Sequence, residues 1–378
     1  MPNEIHQSDK LADVLYDIRG PVLDEAKRLE AAGQRIIKLN IGNPHPFGFE
    51  TPAEILVEVS RSLQVSQGYS DSQGITAART AIVQHYQNQG IDITNIDDVW
   101  LGNGVSELIQ LSLNALLNEG DEVLIPAPDY PLWTASTTLA GGSPVHYLCD
   151  EQNEWNPDIA DIESKITSRT KAIVVINPNN PTGTWLDAHV LRAFLARVPE
   201  HVIVVIDEAY AELADAPEYR SGLAMRDAHP NLVVSRTFSK AYGLAGMRVG
   251  YFVAPAGLVA VMERVRESFN VNLPALAACE AALGDVEHLE WVRARNREER
   301  AALSAALQAR GLRVFPSQTN FLLVEFGERT AAVEHALVQR GVVLRPMGGY
   351  GLGDCLRITV GTRDENRRLL LALDEVLA

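Results

Sequence analysis

Cysteine is scarce in this chain: Cys149, Cys279 and Cys355 are odd in number and far apart, with no CxxC and no Cys/His cluster. A disulfide framework and a structural zinc site are thereby set aside, and no metal is expected. Basic charge is also in short supply, with 33 Lys and Arg against 49 Asp and Glu and a formal net charge of −16. Such a surface repels nucleic acid and anionic membranes, so a small anionic ligand needs a local basic pocket. No run of about 18 apolar residues occurs, which excludes an ordinary membrane-spanning helix. The opening MPNEIHQSDKLADVLYD is polar and acidic, without the apolar core of a signal peptide. A cytoplasmic protein is expected. Internal repeats, low-complexity tracts and flexible linkers are lacking as well.

What is present is a globular composition, 46% hydrophobic and 22% charged over 378 residues, long enough for two domains at about 150 residues each. Val/Ile-rich runs at 121–126, 143–148, 171–176, 201–207, 231–236 and 248–254 alternate with helical stretches. Together they predict an α/β domain with a mostly parallel sheet sandwiched by helices. Helical spacing is clear in AEILVEVSRSL, in ITAARTAIVQHYQNQG and in VSELIQLSLNALLNEG, the last closing at Gly120. A long helical region from about 287 to 311 leads to RVFPSQTNFLLVEF, GVVLRPM and CLRITVG, strands of a smaller α+β unit. Residues 11–33 read as helical, broken at Gly20-Pro21 and closed by Gly33, followed by a strand running into a Gly/Pro/Asn loop, IIKLNIGNPHPFGF. This N-terminal segment is too short for a core of its own and is expected to pack on the smaller unit.

One stretch organises the rest, SRTFSKAYGLAGMRVG, from Ser235 to Gly250. The run NLVV before it reads as a short buried strand, so the hydroxyls of Ser235, Thr237 and Ser239 fall at its carboxyl end, where open α/β sheets bind ligands. A lysine in such a partly desolvated place, near another cation, has a lowered pKa and attacks a carbonyl to form a Schiff base. Lys240 is that lysine. Arg248 presents parallel donors suited to a phosphate. Amine, hydroxyls and guanidinium describe a site for pyridoxal 5′-phosphate (PLP), although the turn taken alone fits an ordinary structural role as well.

Other strand ends offer matching chemistry. GNGVSE sets Gly102, Gly104 and Ser106 at the start of an amphipathic helix, where NH groups and the helix dipole bind phosphate; Ser106 otherwise reads as a plain N-cap. NPNNPTG (177–183) follows one strand and VIDEAY (205–210) ends the next. Asp207, a carboxylate at an apolar strand tip, calls for a cation such as a protonated pyridine nitrogen, or else caps a helix. Asn180 and Tyr210 offer hydrogen bonds to a ring oxygen. Tyr130 offers a face for stacking or simple core packing. Arg357, within a strand, needs an anion if buried, either a substrate carboxylate or a structural salt bridge. Each item is ambiguous alone, but a single cofactor uses all of them.

With these residues assembled, nearly the whole chain resembles the fold type I, aspartate-aminotransferase-like PLP enzymes, on NPNNPTG, DEAY and SRTFSKAYGLAGMRVG in that order. The resemblance implies a large PLP-binding domain at 46–274 and a small domain formed by 1–45 and 275–378. It implies that Lys240 carries the cofactor and is the general acid/base, that Asp207 pairs with the pyridinium, that Asn180 and Tyr210 bind the ring oxygen, and that Tyr130 stacks. The phosphate falls to the turn at Gly104, to Val105, Ser106, Thr237 and Ser239, and to Arg248. The substrate α-carboxylate falls to Arg357, helped by the backbone of Gly42. Tyr69, in QGYSDSQG, resembles the tyrosine that reaches the neighbouring subunit's phosphate, which implies a homodimer with shared sites.

The resemblance divides along the chain. Residues 1 to about 183 look like bacterial glutamate-pyruvate (alanine) aminotransferases, and Tyr16 and Arg19 match that family's N-terminal lid over small substrates. From about 201 onward, in SRTFSKAYGLAGMRVGY, LRPMGGYG and LRITVGTRDEN, the chain looks like histidinol-phosphate aminotransferase. Arg345 matches the arginine that binds the distal phosphate there, and otherwise reads as a solvated charge at a strand end. The expected activity is amino transfer between an L-amino acid and a 2-oxo acid such as 2-oxoglutarate, of the alanine/glutamate type, with histidinol phosphate as the alternative donor. A carbon-sulfur lyase using the same cofactor is a further alternative. The PLP-sensing domain of a transcription regulator is disfavoured, since its basic DNA-binding segment has no counterpart in the acidic N-terminus.

Overall fold

The computed structural model describes residues 6–14, 20–93 and 95–378. Regular structure opens with α1 (Gly20–Ala31), β1 (Ile37–Lys38), α2 (Ala53–Ser62) and α3 (Thr76–Asn88). Gly20 and Pro21 lie in the first described turn of α1, and residues 15–19, on the other side of the expected break, lie outside the described residues.

The central part runs β2 (Val99–Gly102), α4 (Val105–Leu116), β3 (Glu122–Ala127), α5 (Leu132–Leu139), β4 (Ser143–Asp150), β5 (Asn156–Pro157), α6 (Ile159–Lys165), β6 (Thr170–Ile176), α7 (Ala188–Leu195), β7 (Ile203–Asp207), β8 (Leu232–Thr237), β9 (Gly250–Val253), α8 (Ala256–Met262) and α9 (Leu273–Gly284). The eight strands form one sheet in the order β2-β9-β8-β7-β6-β3-β4-β5. The five central strands are parallel. The pairings β8-β9, β2-β9 and β4-β5 are antiparallel. Alternation along β7 separates the two faces: Val204 and Ile206 pack with α3 and α9, whereas Ile203 and Val205 pack with α4 and α5. Both faces are thus covered, as apolar strands of this kind require. Register sets Ile176 beside Asp207 and Asp207 beside Ser235, so β6 and β7 end level while β8 runs on to Thr237.

The remainder is α10 (Val286–Gln308), β10 (Arg313–Val314), β11 (Phe321–Glu325), α11 (Thr330–Gln339), β12 (Val342–Val343), β13 (Arg345–Pro346), β14 (Cys355–Thr359) and α12 (Arg363–Leu377). An antiparallel sheet, β10-β11-β14-β13, packs Leu322, Val324, Leu356 and Ile358 against Leu307, Leu337 and Leu373 of the three helices. The Thr362/Glu365 capping box starts α12. β1 pairs in parallel with β12, and Ala26 and Leu29 of α1 pack on Val338 and Val343, which attaches the N-terminal segment to this smaller layer. Leu276, Cys279 and Leu283 of α9 lie in the core beneath the large sheet, not among the helices of the small one.

Candidate active site

The carboxyl ends of β6, β7 and β8 open into a cavity of about 380 Å³ lined by Asn180, Asp207, Tyr210, Thr237, Ser239 and Lys240 from those strand ends. Gly42, Val105, Ser106, Tyr130 and Arg248 close it from other loops. An adjoining cavity of about 600 Å³ shares Gly42, Tyr130, Asn180, Tyr210 and Lys240 and adds Arg345, Tyr350 and Arg357. Eleven of the expected residues thus line the first cavity, and Arg345 and Arg357 face the second.

Asp207 is 4% exposed at the tip of β7. Trp133 Nε1 donates to its Oδ2 at 3.0 Å and Ser235 Oγ to its Oδ1 at 2.9 Å, so it serves no helix as a cap. Burial pushes its carboxyl above the ordinary aspartate value, against the pull of these two bonds and of the Lys240 charge. Trp133 and Ser235 were not among the expected site residues. Ser235 lies in the hydroxyl-rich stretch already noted, but nothing in a sequence shows an indole on α5 reaching a strand tip.

The turn after β8 holds Lys240: Ser239 N donates to Thr237 Oγ1 at 3.1 Å, and Gly243, at φ 68°, closes the turn with a 3.0 Å bond from its N to Lys240 O. Lys240 Nζ donates to Gly42 O at 3.1 Å and lies 5.2 Å from the centre of the Tyr210 ring. Across the cavity the first turn of α4 begins after Gly104, which has no side-chain cap. Ser106 is therefore inside the helix rather than its N-cap, and Val105 and Ser106 of the first turn line the cavity. Gly104 adopts φ 81°, and a Cβ there would lie 2.7 Å from the Arg248 guanidinium. That close approach binds the start of α4 to Arg248 as one cradle. Tyr130 faces both cavities while its ring also packs beside the core around α4 and α5.

Asn180 sits in a loop locked by its neighbours: Asn179 Oδ1 accepts from Thr182 N and Oγ1, and Gln318 N donates to Gly183 O. Arg357, 6% exposed, projects from β14 and donates from Nη1 to Asn180 Oδ1 at 2.6 Å and from Nη2 to Asn40 O at 3.3 Å. Its Nε is buried without a partner, and its face stacks 4.6 Å from the Phe321 ring. No structural salt bridge occupies it among the described residues.

Tyr69 lies away from both cavities, 84% exposed and stacked on Phe269 at 4.2 Å. Tyr16 and Arg19 lie outside the described residues. A larger groove of about 1150 Å³ runs past His85, Glu212 and Arg236, but the Arg236 guanidinium there is already paired with Glu208 and Glu212. Size alone does not mark the site.

The class I and II aminotransferase family matches residues 34–373. The alanine aminotransferase of Mycobacterium tuberculosis is 50% identical over 298 residues, 75% of this chain and 68% of its own length. The histidinol-phosphate aminotransferase of an Anaeromyxobacter strain is 44% identical over 282 residues, 74% of this chain and 77% of its own. A solved aminotransferase of Escherichia coli superposes with a TM-score of 0.88 at 39% identity, covering 99% of this chain and 98% of the other. The architecture is that of aspartate aminotransferases, fold type I. Strand-end carboxylate, lysine turn and buried arginine thus stand in the fold of known amino-group transferases, and the chain belongs to the class I and II aminotransferase family.

Proposed function

We propose that this aminotransferase uses PLP to move an amino group between L-alanine and 2-oxoglutarate. The observation that carries the reading is the placement of Lys240, Asp207 and Arg357, far apart in sequence, around two adjoining cavities. The donor set fits the cofactor. Asp207 is a buried carboxylate with no ion pair among the described residues, the environment a protonated ring nitrogen stabilises. The α4 start with Arg248 forms a cradle that a single Cβ would fill. Arg357 is a buried guanidinium whose described partners are neutral oxygens.

In this reading Lys240 Nζ is the covalent tether, Asp207 holds the ring nitrogen, and Asn180 and Tyr210 bind the ring oxygen. Tyr130 stacks on the ring. Ser106, Thr237, Ser239, Arg248 and the NH of Val105 hold the phosphate. When bound, PLP supplies an electron sink for the charge left at the substrate Cα. Arg357 and the backbone of Gly42 orient the substrate by its α-carboxylate, which presents the Cα proton to Lys240 Nζ as general base. The two layers meet at this point, and we place the division between them near residue 285, since α9 packs under the large sheet.

Alanine is favoured as donor by the alanine aminotransferase relative. Arg345 and the histidinol-phosphate relative support histidinol phosphate as the second reading. Assaying one purified preparation with each donor against 2-oxoglutarate tests the choice: alanine is expected to turn over faster, and the reverse order overturns it. Pyruvate and ammonia released from cystathionine without an amino acceptor would instead mark a lyase. The exposed Tyr69–Phe269 pair supports a homodimer with shared sites. No described helix is long and apolar enough to cross a membrane. Three buried, unpaired cysteines support a reducing, cytoplasmic location.

A further inference from the structure

Ser235 and Arg236 are consecutive in β8 and therefore project to opposite sides of the sheet. Ser235 reaches Asp207, whereas Arg236 lines the groove of about 1150 Å³ that runs between α3, the junction of α9 with α10 and the segment after β7. There Arg236, 6% exposed, is one cation held between two carboxylates. Its Nη2 lies 2.7 Å from Glu208 Oε2, and its Nη1 donates to Glu212 Oε1 at 2.7 Å. Burial pushes the Glu208 carboxyl above its ordinary value, against the pull of Arg236. Glu208 nevertheless accepts from Gly222 N at 2.6 Å and from Ser221 Oγ at 2.8 Å and donates to nothing among the described residues, as an ionised carboxylate does. Two acids and one base leave the cluster one negative charge in excess. The excess falls on Glu212, whose side chain is 6% exposed and whose Oε2 is buried with no hydrogen-bond partner among the described residues. A carboxylate oxygen so placed is costly until a donor reaches it.

The rest of the groove repeats that sign. Asp215, Glu280, Asp285 and Glu290 also line it, five carboxylates with Glu212, against the three guanidinium groups of Arg220, Arg236 and Arg293. Arg293 is paired with Glu290, and Arg220 donates to the carbonyls of Pro217 and Tyr219. His85 adds no charge near neutral pH, since burial and the Arg236 charge hold its pKa down to about 4. A metal ion requires several ligands around it, and no acid, histidine and cysteine group suited to one occurs among the described residues. One free carboxylate oxygen instead matches an N–H donor of an ammonium group. Ala77, Ala81, Ala214 and Leu283 give the same groove apolar walls on which methylenes pack.

We propose that this groove binds a linear aliphatic diamine, one ammonium on Glu212 Oε2 and the other on the carboxylates of Glu280 and Asp285. None of its lining residues lines the two cavities of the active site, so the proposal is independent of the reaction assigned above.

The test is calorimetric titration, at about 150 mM salt, of PLP-loaded enzyme reduced with borohydride so that no aldehyde is left to condense with an amine. The probes are 1,4-diaminobutane, butylamine and 1,4-butanediol. One diamine per chain is expected, bound on the order of tenfold tighter than butylamine, with no heat from the diol. Glu212→Gln, which leaves Arg236 its Glu208 partner, weakens the diamine by about 10- to 100-fold. Glu280→Gln, at the exposed rim, narrows the margin of diamine over butylamine and leaves butylamine within about threefold. Heat without a defined stoichiometry, or equal affinity in Glu212→Gln, marks the general attraction of a chain of net charge −16 and overturns the proposal. Displacement of the diamine by an equal concentration of sodium or potassium overturns the amine assignment. Should Glu212→Gln not fold, an unchanged margin in Glu280→Gln overturns the proposal by itself. A chain that takes up no PLP is titrated as purified, so the groove and the cofactor reading fail separately.

Discussion

Arg357 Nη1 donates to Asn180 Oδ1 at 2.6 Å, which ties the interior strand of the small sheet to the loop that follows β6. The bond fixes the Asn180 amide so that its NH2 group is left to donate elsewhere. In the proposed reading Arg357 thus acts twice, as the receptor for the substrate carboxylate and as the clamp on the Asn180 amide. Arg357→Ala is expected to lower kcat/KM for alanine by roughly 100-fold or more, with Arg357→Lys recovering only a part because an ammonium lacks the planar fork. A loss below about threefold in steady-state kinetics would remove Arg357 from the substrate site.

Asp207 yields a prediction with a definite sign in pH. Its folded-state pKa is raised by burial, so the cofactor-free folded chain holds the proton more tightly than the unfolded one. The contribution to stability is full below the ordinary aspartate value of 3.8 and is lost as pH rises through the raised folded value. Asp207→Asn should flatten that decline in thermal melts of the cofactor-free chain. The same variant should lose most of the melting-temperature rise that PLP confers, because the ring nitrogen loses its counter-ion. An undiminished rise contradicts the pairing.

The contact of Gly104 with Arg248 predicts that Gly104→Ala weakens PLP binding by about tenfold or more, through both the positive φ and the 2.7 Å collision with the guanidinium. Equilibrium dialysis against PLP measures it. Affinity unchanged from the parent would show that the cradle does not hold the phosphate.

The proposed sharing of sites between two subunits leads to a mixing experiment. Tyr69 lines neither cavity of its own chain, so in that proposal Tyr69→Ala and Lys240→Ala damage different halves of each site. Subunit exchange between the two variants should restore one undamaged site per dimer and raise activity above either parent. A mixture no more active than the Tyr69→Ala parent would show that Tyr69 serves no neighbour.

Much of this was legible because long elements carry strong patterns. The amphipathic helix over 105–116 and the Val/Ile runs of β6, β7 and β8 are readable from periodicity, and the short motifs at their ends carry the chemistry. What escaped depended on contacts distant in sequence. β2, VWLG, is four residues long and buried on both sides; its place is set by antiparallel pairing with β9, which local pattern does not encode. Trp133 carries no signal in the sequence, and its indole NH reaches Asp207 only because α5 packs over the end of β7. The facing of Arg345 and Arg357 is a register, and a register belongs to the sheet rather than to either strand.

The most direct test of the central claim is chemical. Incubating the purified chain with PLP, reducing it with borohydride and mapping the pyridoxyl-modified peptide by mass spectrometry reports which amine carries the cofactor, whatever the substrate. The account predicts a single modified residue, Lys240, and no modification at stoichiometric PLP in Lys240→Ala. A label on another lysine, or none in the unaltered chain, would contradict it.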